Sequence, residues 1–225
     1  MSSRRMLTAV LIGLVVPALA SDLQDDAARV QRAREVFQEV MRTPDKAIPQ
    51  EILEGAQCIA IVPGQKTFAL GFGGTYGKGI ATCRNHRQWS APIFVQVGGG
   101  SWGLQLGGQS TDVIMIFRNR DGLESLLSNK VKLGGSVSAA AGPVGRHASA
   151  ATDAAMHAEI LTYARSRGAF AGISLNGDIV QPDESGNAAM YRDHPWKEIL
   201  AGRVAVPAAA QPLLNTLNRY SSVPR

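Results

Sequence analysis

The sequence predicts an α+β fold: a strongly curved, mainly antiparallel sheet, open or partly closed into a barrel, covered by an N-terminal amphipathic helix and several shorter helices. Three observations carry this. Apolar residues recur in steps of three and four from Leu23 to Met41, the period of a helix with one buried face. From Cys58 onward the pattern changes to short apolar runs and alternation, which is how strands read. Glycine is concentrated in the strand region and fills five of the nine positions Gly71–Gly79, where it permits bending and close backbone approach. With 225 residues, 45% apolar and 18% charged, the chain suits one globular domain with appended termini.

The elements follow in order. Residues 1–20 read as a secretory signal, because Arg4 and Arg5 precede the apolar run Leu7–Val16 and Pro17-Ala-Leu-Ala20 offers a small-residue cleavage site before Ser21. The run is shorter than the roughly 20 residues that a spanning helix needs. No cysteine follows the site, so the expected product is not a lipoprotein but a soluble periplasmic or secreted protein beginning near Ser21. The expected organisation is a signal peptide (1–20), one domain (21–202) and a C-terminal tail (203–225).

Asp22–Arg42 is the predicted amphipathic helix, with Leu23, Ala27, Val30, Ala33, Phe37, Val40 and Met41 on its apolar side and Arg29 and Arg34 flanking it. Two settings suit such a helix. It can pack on its own sheet, or lie at a membrane with the arginines reaching anionic head groups. Pro49 then opens a short helix. Cys58–Val62 reads as a buried strand, Thr67–Cys83 as a glycine-rich pair turning near Gly77, and Ile93–Val97 with Leu104–Gly108 as a hairpin.

Asp112–Phe117 is a continuous apolar strand. Asp121 has cap spacing to Glu124 and starts a helix through about Ser128. Leu133–Ala141 is strand-like and small-residued. His157–Arg165, Ala169–Leu175 and Asp178–Gln181 form a predicted meander, with Asn176-Gly177 as a hairpin turn. Helical residues resume at Ala188–Arg192 and Trp196–Ala201. Leu213–Tyr220 is expected as a peripheral tail helix or a partly disordered end.

Chemistry-bearing motifs fail on their context. Gly77-Lys78 lacks both the first glycine and the hydroxyl of a Walker phosphate loop, whose positions hold Phe72 and Gly79. Gly98, Gly100 and Gly103 match G-x-G-x-x-G, but alternating Leu104-Gln-Leu106 follows where a dinucleotide site needs a helix. No G-x-S-x-G elbow occurs. His157-Ala-Glu159 lacks the P-C-x-x-C partner of a deaminase, and the four histidines never reach metalloprotease spacing. These readings point away from an enzyme and give no cofactor. The net charge of +5, to which Arg4 and Arg5 contribute two, is too mild for a nucleic-acid partner.

In an oxidising compartment Cys58 and Cys83 are expected to form a disulfide. Two buried thiols, or a metal site for which neighbouring ligands at zinc spacing are missing, are the alternatives.

Taken in order, Ile48-Pro49 through Ala56, Cys58-Ile-Ala-Ile-Val-Pro63, Gly73-Gly-Thr-Tyr-Gly-Lys-Gly79, Trp89-Ser-Ala-Pro92, Gly142-Pro-Val-Gly-Arg146 and Tyr163-Ala-Arg-Ser-Arg-Gly-Ala-Phe-Ala-Gly-Ile-Ser-Leu175 resemble the SYLF domain over roughly residues 25–200. That family holds eukaryotic actin-regulating and phosphoinositide-binding proteins and many exported bacterial members. The resemblance implies a non-enzymatic lipid-binding module with an amphipathic helix at the membrane and, in fungal relatives, binding to actin filaments. Phosphoinositide-binding members use a lysine-rich helix, whereas here Glu35 and Glu39 dilute the arginines and no lysine precedes Lys46.

An exported chain meets neither cytosolic actin nor abundant phosphoinositides, so actin is carried only by family analogy. What transfers is binding to an anionic phospholipid surface, with an envelope-structural or protein-partner role without lipid affinity as the alternative and an uncharacterised enzyme as the remaining one. The cations expected at such a surface are Arg29, Arg34, Lys46, Lys66, Lys78 and Arg84. Of these, Lys66, Lys78 and Arg84 would share a lipid phosphate if the curved sheet brings them together.

Overall fold

The computed structural model describes residues 16–42, 47–129, 133, 138–144, 157–166, 169–172 and 178–222. Its centre is a two-stranded ribbon. β1 (Cys58–Asn85) and β3 (Ile93–Phe117) pair antiparallel from Cys58 opposite Phe117 to Ala81 opposite Ile93, and the short β2 (Gln88–Trp89) folds back on the end of β1. Laid straight at about 3.3 Å per residue, β1 would run roughly 90 Å. Yet Cys58 and Cys83 lie 4.0 Å apart at Cα and are joined by a disulfide. The ribbon therefore curls until the two ends of β1 meet, giving the strongly curved α+β fold that the composition predicts.

Glycine makes the closure possible at two positions. A Cβ on Gly79 would stand 2.2 Å from the Ile61 carbonyl oxygen and 2.8 Å from Val62 Cα, and one on Gly77 would stand 2.6 Å from Val62 Cγ1. Two stretches of one strand thus cross in backbone contact, and only a residue without a side chain fits between them. The Arg84 N–H donates to the Gln57 carbonyl at 2.7 Å and helps close the seam. The pairing shifts register between Val62 and Gln65 and between Ala69 and Gly71. At the first, Gly64 takes φ +60° and its N–H donates to Asp112 Oδ1 at 2.8 Å.

This corrects two local expectations. There is no turn near Gly77 and no hairpin at Gly98–Gly108; both glycine tracts lie inside continuous strands, with Gly73–Tyr76 paired to Ser101–Gly98. A glycine cluster marks either a reversal or a bend, and here the curvature is spread along a ribbon too long to be seen in a local window. Cys58 and Cys83 form the expected disulfide, and it joins the two ends of one strand.

The remaining strands extend β3. β5 (Ile160–Ser166) pairs with Asp112–Phe117. Its other edge carries β4 (Ala139–Ala141) in parallel and then β6 (Ala169–Gly172) antiparallel. β7 (Ile179–Pro182) pairs with Val95–Gly98 of β3 and not with β6, so the three last strands are no meander. The Asn176-Gly177 turn lies outside the described residues. His157 and Glu159 precede β5 rather than belonging to it.

Helices cover the curl. α1 (Val16–Met41) is helical from the first described residue, six positions before the predicted Asp22, where Ala18-Leu-Ala20 are good helix formers. Its Val30, Ala33, Val36, Phe37 and Val40 are buried in the common core with Ile59, Ile61, Ile80 and Phe94. α2 (Gln50–Glu54) follows Pro49. α3 (Arg120–Asn129) is capped by Asn119, whose Oδ1 accepts the Gly122 N–H at 2.7 Å. The predicted cap, Asp121, falls inside the helix, since Asn119 offers a capping oxygen two residues earlier.

α4 (Glu184–Tyr191), α5 (Trp196–Leu200) and α6 (Gln211–Ser221) complete the chain. α6 is not peripheral. Leu213, Leu214 and Leu217 are buried, Tyr220 meets Phe37 edge-on at 5.8 Å, and the Trp89 Nε1–H donates to Ser221 Oγ at 3.2 Å. Among the described residues no helix is long and apolar enough to cross a membrane.

Two measurements of urea unfolding test the closure. The double variant Cys58→Ser/Cys83→Ser loses about 3–3.5 kcal/mol, the loop-entropy value for a bridge of this span. Gly79→Ala loses about 3 kcal/mol through overpacking against backbone, while Gly100→Ala, whose Cβ would meet nothing within 4 Å, stays within about 1 kcal/mol of the parent.

Candidate functional site

Six cations and one cystine were legible as candidates, and the structure sorts them by partner. Asp183 caps α4, accepting from the Gly186 N–H and, at 2.8 Å, from the Ser185 hydroxyl. Its Oδ2 also receives Arg29 Nη1 at 2.8 Å and Lys78 Nζ at 3.0 Å. Arg29 Nη2 reaches Asp26 Oδ1 at 3.1 Å, and the guanidinium lies 5.1 Å from the centre of the Phe94 ring. Arg29 is 7% exposed, and Asp26 and Asp183 are each 3% exposed.

Two carboxylates thus balance two cations in a small recess, and the cluster ties α1, β1 and α4 together. Burial pushes the Asp183 carboxyl up, but hydrogen bonds from Lys78, Ser185 and Arg29 outweigh it and hold the pKa at about 2. Arg29, expected to reach a head group from the helix edge, points its charge inward instead. A one-dimensional wheel places it beside the apolar face, and the anion that draws it in is 154 positions away.

Arg84 is equally committed. Its Nε donates to the Ala56 carbonyl at 3.2 Å, its Nη2 donates to Leu53 and Ser221 carbonyls at 3.2 Å each, and its guanidinium stands 4.7 Å from the Trp89 ring centre. It seals the ends of α2 and α6 against the seam. Arg34 is half-buried on a groove between α1 and α6. Lys46 lies outside the described residues. Lys66 is exposed. Lys78 and Arg84 therefore have different internal partners, and the three ribbon cations do not share one anion.

Around Lys66 the ribbon presents a distinct surface. Along β1, Gln65, Gly77 and Gly79 are buried while Lys66, Phe68 and Tyr76 are exposed, the alternation of a strand with one face outward. Phe68 is 59% and Tyr76 51% exposed; with Leu23 they are the large apolar side chains left in solvent among the described residues. Their cross-strand partners are Gly108 and Gly98, so no partner side chain stands opposite either ring. The two aromatics escaped the sequence reading. The available signal was the mirrored spacing Lys66-x-Phe68 and Tyr76-x-Lys78, which acquires meaning only once the register puts glycine opposite both rings.

The glycine motifs hold no phosphate cradle: Gly77-Lys78 is inside β1, Gly98–Gly103 is inside β3, and neither opens a helix. Among the described residues no three His, Cys, Asp or Glu side chains gather as a metal would require.

A ribbon curled on itself, clasped by a cystine and roofed by an N-terminal helix, defines a small α+β module whose distinctive surface is a strand face rather than a cleft. Residues 98–220 match the family described as Ysc84, Las17-binding protein actin regulator, and the chain belongs to this family of SYLF-domain proteins. It is 33% identical over 89% of its length to an SH3 domain-containing protein of Schizosaccharomyces pombe, covering 48% of that relative. It is 36% identical over 77% of its length to protein YSC84 of Saccharomyces cerevisiae, covering 38% of it. With SH3 domain-containing YSC84-like protein 1 of Mus musculus the identity is 30% over 90% of this chain and 61% of the relative. The chain thus spans about half or less of the two fungal relatives.

The charge cluster makes a pH prediction. Because the folded pKa of Asp183 is depressed below the ordinary carboxylate value near 3.9, its contribution is complete above about pH 4 and is lost as pH falls toward 2. Asp183→Asn leaves buried Arg29 short of an anion, so it is expected to cost about 3–5 kcal/mol at neutral pH. It also flattens the loss of stability between about pH 4 and 2, read from denaturant unfolding across that range.

Proposed function

We propose that this domain is an exported, non-enzymatic binding module that docks on an anionic phospholipid surface through the outward face of its ribbon. The carrying observation is the pair of exposed rings, Phe68 and Tyr76, with Lys66 beside them. Aromatic side chains with a nearby lysine suit the boundary between water and lipid, where the rings leave solvent and the ammonium meets head groups. Full burial of an aromatic side chain contributes about 1.5–3 kcal/mol and a lysine near an anionic leaflet about 1 kcal/mol, so the contact is weak and reversible.

The signal-like residues 1–20 and the cystine support export, since disulfides persist outside the reducing cytosol. The family description and the name of a Saccharomyces cerevisiae relative, LAS seventeen-binding protein 3, favour a second reading in which the same exposed face meets a protein partner. Aromatic enrichment is also a feature of protein interfaces.

Flotation of the purified chain with vesicles discriminates the two. Lipid docking predicts recovery with phosphatidylglycerol vesicles, loss at high salt, and little recovery with neutral phosphatidylcholine. Phe68→Ser/Tyr76→Ser reduces recovery about tenfold or more and Lys66→Glu about fivefold, in line with the contributions above. Equal recovery with neutral vesicles, or unchanged recovery of the aromatic variant, removes the lipid reading. Crosslinking of the parent but not the aromatic variant to a protein in an envelope extract, without flotation, establishes the second.

A further inference from the structure

A recess of about 530 Å³ opens where the β3–β7 pair meets α3, α4 and α5, and Gln96, Gln181, Ser128, Glu184, Trp196 and Lys197 are among the residues that line it. Small-ligand sites occupy this size range. Gln96 and Gln181 are direct cross-strand partners, so both amides leave the sheet on one face. Ser128 stands near the end of α3 and Glu184 at the start of α4. Pro195 precedes α5 in extended backbone and makes Trp196 its first residue. There the indole is half-buried against the common core, which holds it in place before any ligand arrives. Lys197 Nζ lies 5.4 Å from the centre of that ring.

Among the described residues, the side chains of Gln96, Gln181, Ser128 and Glu184 make no hydrogen bond or ion pair within the protein. The cluster around Asp183 differs, because there Arg29 and Lys78 are spent on a carboxylate. The recess therefore combines an aromatic ring with uncommitted amide, hydroxyl and carboxylate groups. Its one acidic and one basic side chain, Glu184 and Lys197, balance each other.

We infer that this recess binds a neutral pyranose saccharide, the sugar ring lying against Trp196 and its hydroxyls shared among the two glutamines, Ser128 and Glu184. The C–H face of a pyranose with equatorial hydroxyls is flat and apolar and suits an aromatic surface. Each hydroxyl is donor and acceptor at once, as is each glutamine amide. A phosphate or carboxylate on the ligand would meet the like charge of Glu184, and an amine that of Lys197. The site uses none of Lys66, Phe68 or Tyr76 and stands independently of docking by the ribbon.

The test is an NMR titration of the full purified chain with cellobiose, N,N′-diacetylchitobiose and glycerol, following the backbone amide signals of the β3–β7 pair and α5. At least one disaccharide gives a saturable shift with a Kd in about the millimolar range, the strength of one stacked ring and a few exchanged hydrogen bonds. Either preference supports the inference and shows whether an N-acetyl group is accepted in place of a hydroxyl. Glycerol, which has hydroxyls but no ring face, binds about tenfold more weakly or worse.

Trp196→Ala, which removes the ring, and Gln96→Ala/Gln181→Ala, which removes the paired amides from two half-exposed positions, each weaken disaccharide binding about tenfold or more. Lys66→Glu and Phe68→Ser/Tyr76→Ser leave it unchanged, whatever they do to recovery with vesicles. Circular dichroism confirms that each variant is folded. The inference is overturned if neither disaccharide gives a saturable shift, if glycerol binds as well as they do, or if the folded Gln96→Ala/Gln181→Ala variant binds like the parent.

Discussion

The backbone crossing of β1 over itself sets the position of almost everything else. Where Gly77 and Gly79 lie against Ile61 and Val62, any side chain would force the strand apart and open the curl. Around that contact the ribbon acquires an inside and an outside. The inside takes Ile59, Ile61, Ile80 and Phe94 against α1, and the outside is left with Lys66, Phe68 and Tyr76. The cystine between Cys58 and Cys83 acts at the ends of the same crossing. It limits how far the unfolded ribbon can spread, while the glycines determine how closely the folded one can shut.

Closure also explains how charge is used in this molecule. A curled ribbon brings Lys78 toward the cap of α4 and the first helix, so that Asp183 can collect Lys78 and Arg29 together. Burying these groups is costly, and the cluster is tolerable because two carboxylates meet two cations with short hydrogen bonds. It connects α1, β1 and the start of α4. On the far side, Arg165 makes an ion pair with Asp112 at 2.7 Å and another with Glu39 of α1, while Asp112 also accepts the N–H of the bent Gly64. α1 is thus tied by charge at its middle, through Asp26 and Arg29, and near its C-terminal end, through Glu39.

The likeness to Ysc84-type proteins covers most of the chain. The family match begins at Gly98, inside β3, and ends at Tyr220, inside α6, so it includes the terminal helix that closes over Trp89 and Phe37. That span contains Asp183 and the pairing edge of the ribbon, whereas Phe68, Tyr76 and Arg34 lie before it. The likeness to the relatives extends further, over 77–90% of the chain, and so reaches β1 as well.

What the sequence determined unaided was what local period and residue counts govern. The helical stripe of α1, the strand character of Cys58–Val62 and Asp112–Phe117, the pairing of the only two cysteines and the failure of each phosphate-loop motif all depend on neighbours within a few positions or on a yes-or-no count. Tertiary structure alone decided that the glycines sit in one continuous curl instead of turns, that β7 joins β3, that α6 belongs to the core, and that Arg29 and Arg84 face inward while Phe68 and Tyr76 face out. Each of these depends on a partner far along the chain: Val62 for Gly77, Asp183 for Arg29, Ser221 for Arg84, Gly108 for Phe68. A local window carries the preference of a residue for a conformation, but burial is a property of what arrives on the other side.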